Sequence, residues 1–148
     1  MVAARTEIRL IFLNNRGYLL ARTYNVRFVA VTLGVQHKWL DNLLSHHAIP
    51  GVTGGRQGVS REIGADGLLA IELVRALVHE FSVPISRAAT MIAQATRSAD
   101  GSELVLTSPS GVRVSLSLAD AEARIRAQMF DAIEATAHVR RGRPPGKR

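Results

Sequence analysis

The sequence predicts a mainly α-helical fold with small β-hairpins, on three observations. Apolar residues recur at helical spacing in several segments, turns marked by glycine and proline separate those segments, and two short stretches read as strands around such turns. The 148 residues suit one domain with appendages: an extension over 1–23, a head over 24–98, a hairpin-plus-helix unit over 99–139 and a basic tail over 140–148. Hydrophobic residues make up 47% of the chain and aromatics only 5%, so the core is expected to consist of Leu, Ile, Val and Ala.

The extension begins MVAARTEIRLIFLNNRGYLLA, superficially a signal peptide. Asn14-Asn15-Arg16-Gly17 interrupts its apolar stretch and argues against export. Residues 8–13 and 18–21 either pair as a hairpin across that turn or lack order. No segment is long and apolar enough to span a bilayer.

A first helix leads through Phe28, Val29, Val31 and Thr32 to Leu33, and Gly34 breaks it, since glycine takes the left-handed conformation that closes helices. A second helix is expected from about Gln36 to Ser45 or His46. Trp39, Leu40, Leu43 and Leu44 form its buried side, with Trp39 a core anchor, while Gln36, His37, Lys38, Asp41 and Asn42 face outward. Amide, imidazole and ammonium groups on one helix start can contact base edges and phosphates, although most surface helices also carry a polar face. Pro50-Gly51 ends the helical stretch. Val52-Thr53 and Val59-Ser60-Arg61 then flank Gly54-Gly55-Arg56-Gln57-Gly58, a hairpin with Arg56 and Gln57 at its tip and Arg61 on the returning strand. No lysine follows these glycines as a phosphate-binding loop requires, so nucleotide binding is set aside. Two short helices and a basic hairpin in this order read as a helix-turn-helix followed by a wing, which can reach one DNA groove and the phosphates beside it.

Ala65-Asp66-Gly67-Leu68 opens a third helix expected over Ala65–Phe81, apolar on more than one side through Leu68, Leu69, Ile71, Leu73, Leu77, Val78 and Phe81. Ser82-Val83-Pro84 separates it from a fourth, expected over 84–98 with Ile85, Ala88, Ala89 and Ile92 as its buried stripe. From residue 28 to about 95, this order of elements resembles the DNA-binding head of MerR-type regulators. The resemblance implies a helix-turn-helix, a wing and two further helices. The polar-aromatic stretch usual at the end of that family's recognition helix is replaced here by Asn42-Leu43-Leu44-Ser45.

A second hairpin is expected from Glu103–Thr107 to 112–116, turning at Ser108-Pro109-Ser110-Gly111. There Val112, Val114, Leu116 and Leu118 alternate with Arg113, Ser115 and Ser117, as in a strand with one wet face. Ser117-Leu118-Ala119-Asp120 fits a capping box for a last helix running to about Val139. Its stripe of Leu118, Ala121, Ile125, Met129, Ala132 and Ile133 is read as a two-fold dimer seam over 99–139, with packing on its own domain as the alternative. The tail holds Arg141-Gly142-Arg143-Pro144, which resembles an AT-hook, a slim core that places both arginines in the minor groove. A solvated basic tail is the plainer alternative.

Charge follows the same division. Residues 1–61 carry eight basic and two acidic side chains, residues 62–139 six basic and ten acidic, and the last nine contribute five positive charges, together the net +7. Cations therefore collect where the motif puts a polyanion, whose binding gains affinity from counterion release.

Cysteine is absent, which excludes disulfides and thiolate metal sites and fits a reducing cytoplasm. No histidine–glutamate metal motif or nucleophile elbow is present, and the adjacent His46-His47 make a poor chelate, so neither an enzyme, a metal nor a cofactor is expected. Two functions follow. One is a cytoplasmic, nucleoid-associated, dimeric transcriptional regulator on double-stranded DNA, with a phage excisionase-like bending factor as a variant. It would use Gln36, His37, Lys38, Asp41, Asn42, Arg56, Gln57, Arg61, Arg141 and Arg143. The other is an antitoxin-type protein that grips a protein partner through 100–139 and DNA secondarily.

Overall fold

A computed structural model describes residues 23–138; the expected N-terminal hairpin and the AT-hook-like tail with Arg141 and Arg143 lie outside the described residues. The described residues form a mixed α/β fold, with five helices and two small antiparallel sheets. Helix α1 (Val26–Leu33) starts at Asn25, whose side chain accepts a 2.8 Å bond from the Phe28 amide, and Gly34 closes it in the left-handed region at φ 64°. After a short turn, α2 (His37–His46) follows with Gln36 at its N-cap.

Strands β1 (Val52–Thr53) and β2 (Glu62–Ile63) pair Val52 with Ile63 and Thr53 with Glu62. The returning strand thus lies just beyond the expected Val59-Ser60-Arg61. Its position follows from Ile63, which is fully buried and also exchanges backbone bonds with Tyr24 at 2.8 and 2.9 Å, whereas Val59 is exposed. Residues 59–61 belong to the loop instead.

Helix α3 (Ala65–Phe81) runs over the expected residues through the middle of the core, with ten of its seventeen residues buried. Helix α4 (Ile85–Gln94) is shorter than expected, with Pro84 as its N-cap. It stops because Thr96 and Arg97 form β3 and pair with Val105 and Leu104. Strands β4 (Glu103–Thr107) and β5 (Arg113–Ser117) complete a sheet in the order β3-β4-β5. The expected dry face of β5 is only partly dry: Val112 and Val114 are exposed and Leu116 half-buried, because β5 is an outer strand and the central strand β4 is the one that meets α4 and α5. Leu118 is helical rather than extended.

Helix α5 (Leu118–His138) begins where the Ser117 hydroxyl accepts a 3.2 Å bond from the Asp120 amide. Leu118, Ala121, Ile125, Met129 and Ala132 are buried, and α5 packs along α1 and α3. The stripe read as a dimer seam is therefore covered by the chain's own helices, and Ile133 alone of its members is exposed.

One apolar cluster joins Val29, Leu40, Ile71 and Leu77 to Leu106, Ile125 and Met129, so the core is continuous across residues 98–99. Among the described residues it contains no fully buried aromatic; Tyr24, Phe28 and Trp39 pack against its edge. Within it, the fully buried carboxylate of Glu72 accepts bonds of 2.7 and 2.9 Å from Arg75 and lies 3.5 Å from Arg124 of α5. Neighbouring carboxylates, Glu72 foremost, hold the Arg75 guanidinium above its ordinary pKa. No described helix is long and apolar enough to cross a membrane.

Candidate nucleic-acid interface

Helix α2 and the β1–β2 loop lie next to each other, and one side chain joins them. Arg61 donates from Nη1 to Asp41 Oδ1 at 2.6 Å and from Nη2 to Ser45 Oγ at 2.9 Å. Both partners stand on α2, one turn apart, so the fork of the guanidinium spans them. The glycines between the strands let Arg61 take this path. Gly55 has φ 84°, and a Cβ built on it would come within 2.8 Å of Arg61 Nε and 3.0 Å of Arg61 Cγ. The arginine stem therefore passes where any side chain at 55 would stand. Beyond it, the Val59 amide donates to the Arg56 carbonyl at 2.8 Å, a tight turn that sets Arg56 and Gln57 at the tip.

Between α1, α2 and this loop runs an open groove of about 440 Å³, lined by Asn25, Arg27, His37, Asp41, Ser60 and Arg61 among others. Gln36, His37, Lys38 and Asn42 are exposed along α2, and Arg56 and Gln57 are exposed at the loop tip. Asp41 and Arg61 differ from the rest of the expected set, since each already holds the other. Their pairing offsets one negative and one positive charge in the groove. Arg27, Lys38 and Arg56 form no ion pair among the described residues, which leaves them able to meet phosphates.

Arg27 is the residue that pattern reading missed. It sits in the first turn of α1, where a lone arginine beside a buried stripe gives no signal until α1 and α2 are placed side by side. Trp39 is half-buried with its ring centroid 5.6 Å from that of His79, as a packing residue rather than an exposed base-stacking one. His46 Nδ1 lies 2.8 Å from the Asn42 carbonyl oxygen in the last turn of α2, where an imidazole favours the negative end of the helix. Among the described residues no three histidine or carboxylate side chains gather as a metal site would need. Neither the protein-family models, nor the curated proteins, nor the solved structures contain a match to this chain.

Proposed function

We propose that this protein is a sequence-specific regulator of transcription that binds double-stranded DNA as a dimer. In this reading α1 and α2 form a helix-turn-helix of MerR-like kind and the β1–β2 loop is its wing. Gln36, His37, Lys38 and Asn42 read base edges in the major groove, while Arg27 and Arg56, with Gln57, hold the flanking phosphates. Asp41 and Arg61 keep the wing at a set distance from the reading helix. The tail, with Arg141 and Arg143, adds affinity from the minor groove, and such a protein works at the nucleoid. The observation that carries the reading is the 2.6 Å link from Arg61 to Asp41, which holds an arginine-bearing loop against the polar side of α2.

The test is duplex binding by fluorescence anisotropy over a salt series. Lys38→Ala and Arg56→Ala are both expected to weaken binding, and Arg56→Ala, which loses a phosphate contact, to flatten the dependence of log K on log salt by about 0.9. Affinity and slope both equal to those of the parent protein would remove the basis for the reading.

A second reading, an antitoxin-type protein gripping a protein partner through residues 100–139, draws on a different observation. Phe130 on α5 is 72% exposed and Val112 is 60% exposed, large apolar surfaces of the kind that partners cover. A stoichiometric partner that co-purifies with the full chain would favour it, and a lone two-fold dimer would favour the first.

A further inference from the structure

A cavity of about 290 Å³ lies on the far side of α3, between that helix, the end of α4 and the β3–β4 pair. Leu69, Leu73, Ile92 and Leu104 give it apolar walls, and its polar members gather at Gln94, Thr96 and Arg97, with Asp66 at the start of α3. Its size lies at the lower end of the range for small-molecule sites, and an apolar hollow with a few polar groups is their usual composition. The described lining holds one acid and one base, so a ligand with net charge would put an unbalanced charge against hydrocarbon. An uncharged molecule needs only to exchange hydrogen bonds with water for those with Gln94 or Thr96.

Pro50 also belongs to the wall, and the next residue sits at the root of the first hairpin. Gly51 has φ 82°, and a Cβ on it would overlap the Gly67 amide nitrogen, while one on Gly67 would approach the Gly51 carbonyl oxygen to 2.7 Å. The Gly64 amide donates to that same carbonyl at 3.0 Å. Two backbones in contact have no side chain to absorb a displacement, so movement at Pro50 or Asp66 passes directly to β1.

We propose that this cavity binds a small uncharged aromatic or branched aliphatic molecule, its hydrogen-bonding group towards Gln94 and Thr96, and that occupancy is felt at the base of the β1–β2 hairpin. Only the consequence for DNA rests on the function proposed above; binding and its effect on the hairpin stand apart from it.

The experiment titrates the ¹⁵N-labelled full chain with benzyl alcohol, and with benzoate and benzylammonium as charged molecules of similar size. Benzyl alcohol is expected to shift the amide signals of Ala70, Ala93 and Ala95 saturably, together with those of Gly51 and Val52. The two ions are expected to bind about tenfold more weakly. Ala93→Trp, at a wall position open to solvent, should weaken benzyl alcohol by about tenfold or more. A response that does not saturate, shifts that avoid the cavity walls, tighter binding of either ion, or full binding by a folded Ala93→Trp chain overturns the proposal. Wall shifts without any at Gly51 and Val52 overturn the coupling. Duplex affinity is followed in parallel: cavity binding with no duplex binding at all counts against the DNA reading alone.

Discussion

Removing the link between Arg61 and Asp41 separates a residue that touches DNA from one that positions others. Arg61→Met keeps much of the aliphatic stem and deletes the guanidinium, and Asp41→Asn keeps the shape and deletes the charge. The two side chains meet at 2.6 Å, and their side-chain exposures are 20% for Arg61 and 49% for Asp41. A sheltered charge-assisted hydrogen bond is worth roughly 1.5–3 kcal/mol. The half-exposed carboxylate brings this towards the range of roughly 0.2–1 kcal/mol measured for surface pairs. A coupling of about 1 kcal/mol is therefore expected from the double-mutant cycle. Arg61→Met alone, which also loses the 2.9 Å bond to Ser45, should cost about 1–2 kcal/mol. Urea unfolding measures both, with the m-value unchanged if only stability is affected. The coupling should shrink as salt rises, because the pair is partly exposed. In duplex binding, Arg61→Met should lower affinity while leaving the salt slope near that of the parent protein, whereas Arg56→Ala should flatten the slope. Additive single variants at low salt, or a slope that falls as much for Arg61→Met as for Arg56→Ala, would refute the positioning role.

Three further outcomes are expected. Thr32 is 2% exposed and its hydroxyl has no hydrogen-bond partner among the described residues, so Thr32→Val should raise stability by about 1 kcal/mol; equal or lower stability in urea would show that the hydroxyl is satisfied. Glu72→Ala takes from Arg75 and Arg124 the buried one of the two carboxylates they share and should cost about 2–4 kcal/mol, below the fullest range for buried pairs because Glu80 remains to both and both arginines reach solvent; a loss under about 1 kcal/mol would contradict a structural role for the cluster. Hydrogen bonds from Ser98, foremost, and from the Ser102 amide and hydroxyl bring the Asp100 carboxyl down to about 2. Because the folded value lies below the ordinary one, this contribution is present above the usual carboxylate range and is lost as pH falls through about 2. A carboxyl ¹³C titration of Asp100 with its midpoint near 4 would show that the loop does not hold it.

The helical segments were legible because each carries its own instructions. Asn25 and Gly34 bound α1 locally, Ser117 opens α5, and the apolar run from Leu68 to Leu77 defines α3 without help from distant residues. Boundaries went astray where a distant partner decides them. Residues 96 and 97 leave the fourth helix for β3 because Leu104 and Val105 are there to pair with them, and Ile63 draws β2 past Arg61 by meeting Tyr24 as well as Val52. An amphipathic stripe likewise says that a face is to be covered, but not by what. On α5 the chain's own α1 and α3 cover it, so the expectation of a seam there fails at that stripe.

At the candidate interface the same division holds. Spacing and turn chemistry alone marked out Gln36, His37, Lys38 and Arg56 as exposed polar groups on a helix start and a loop tip, since exposure follows from which residues of a short helix must be buried. That Asp41 and Arg61 would spend their charges on each other, that Arg27 would face His37 across a groove, and that a cavity would open beneath Pro50 came only with the tertiary structure. The physical reason is range: capping and periodicity act over a few residues, whereas an ion pair or a cavity depends on where segments twenty or more positions apart come to rest.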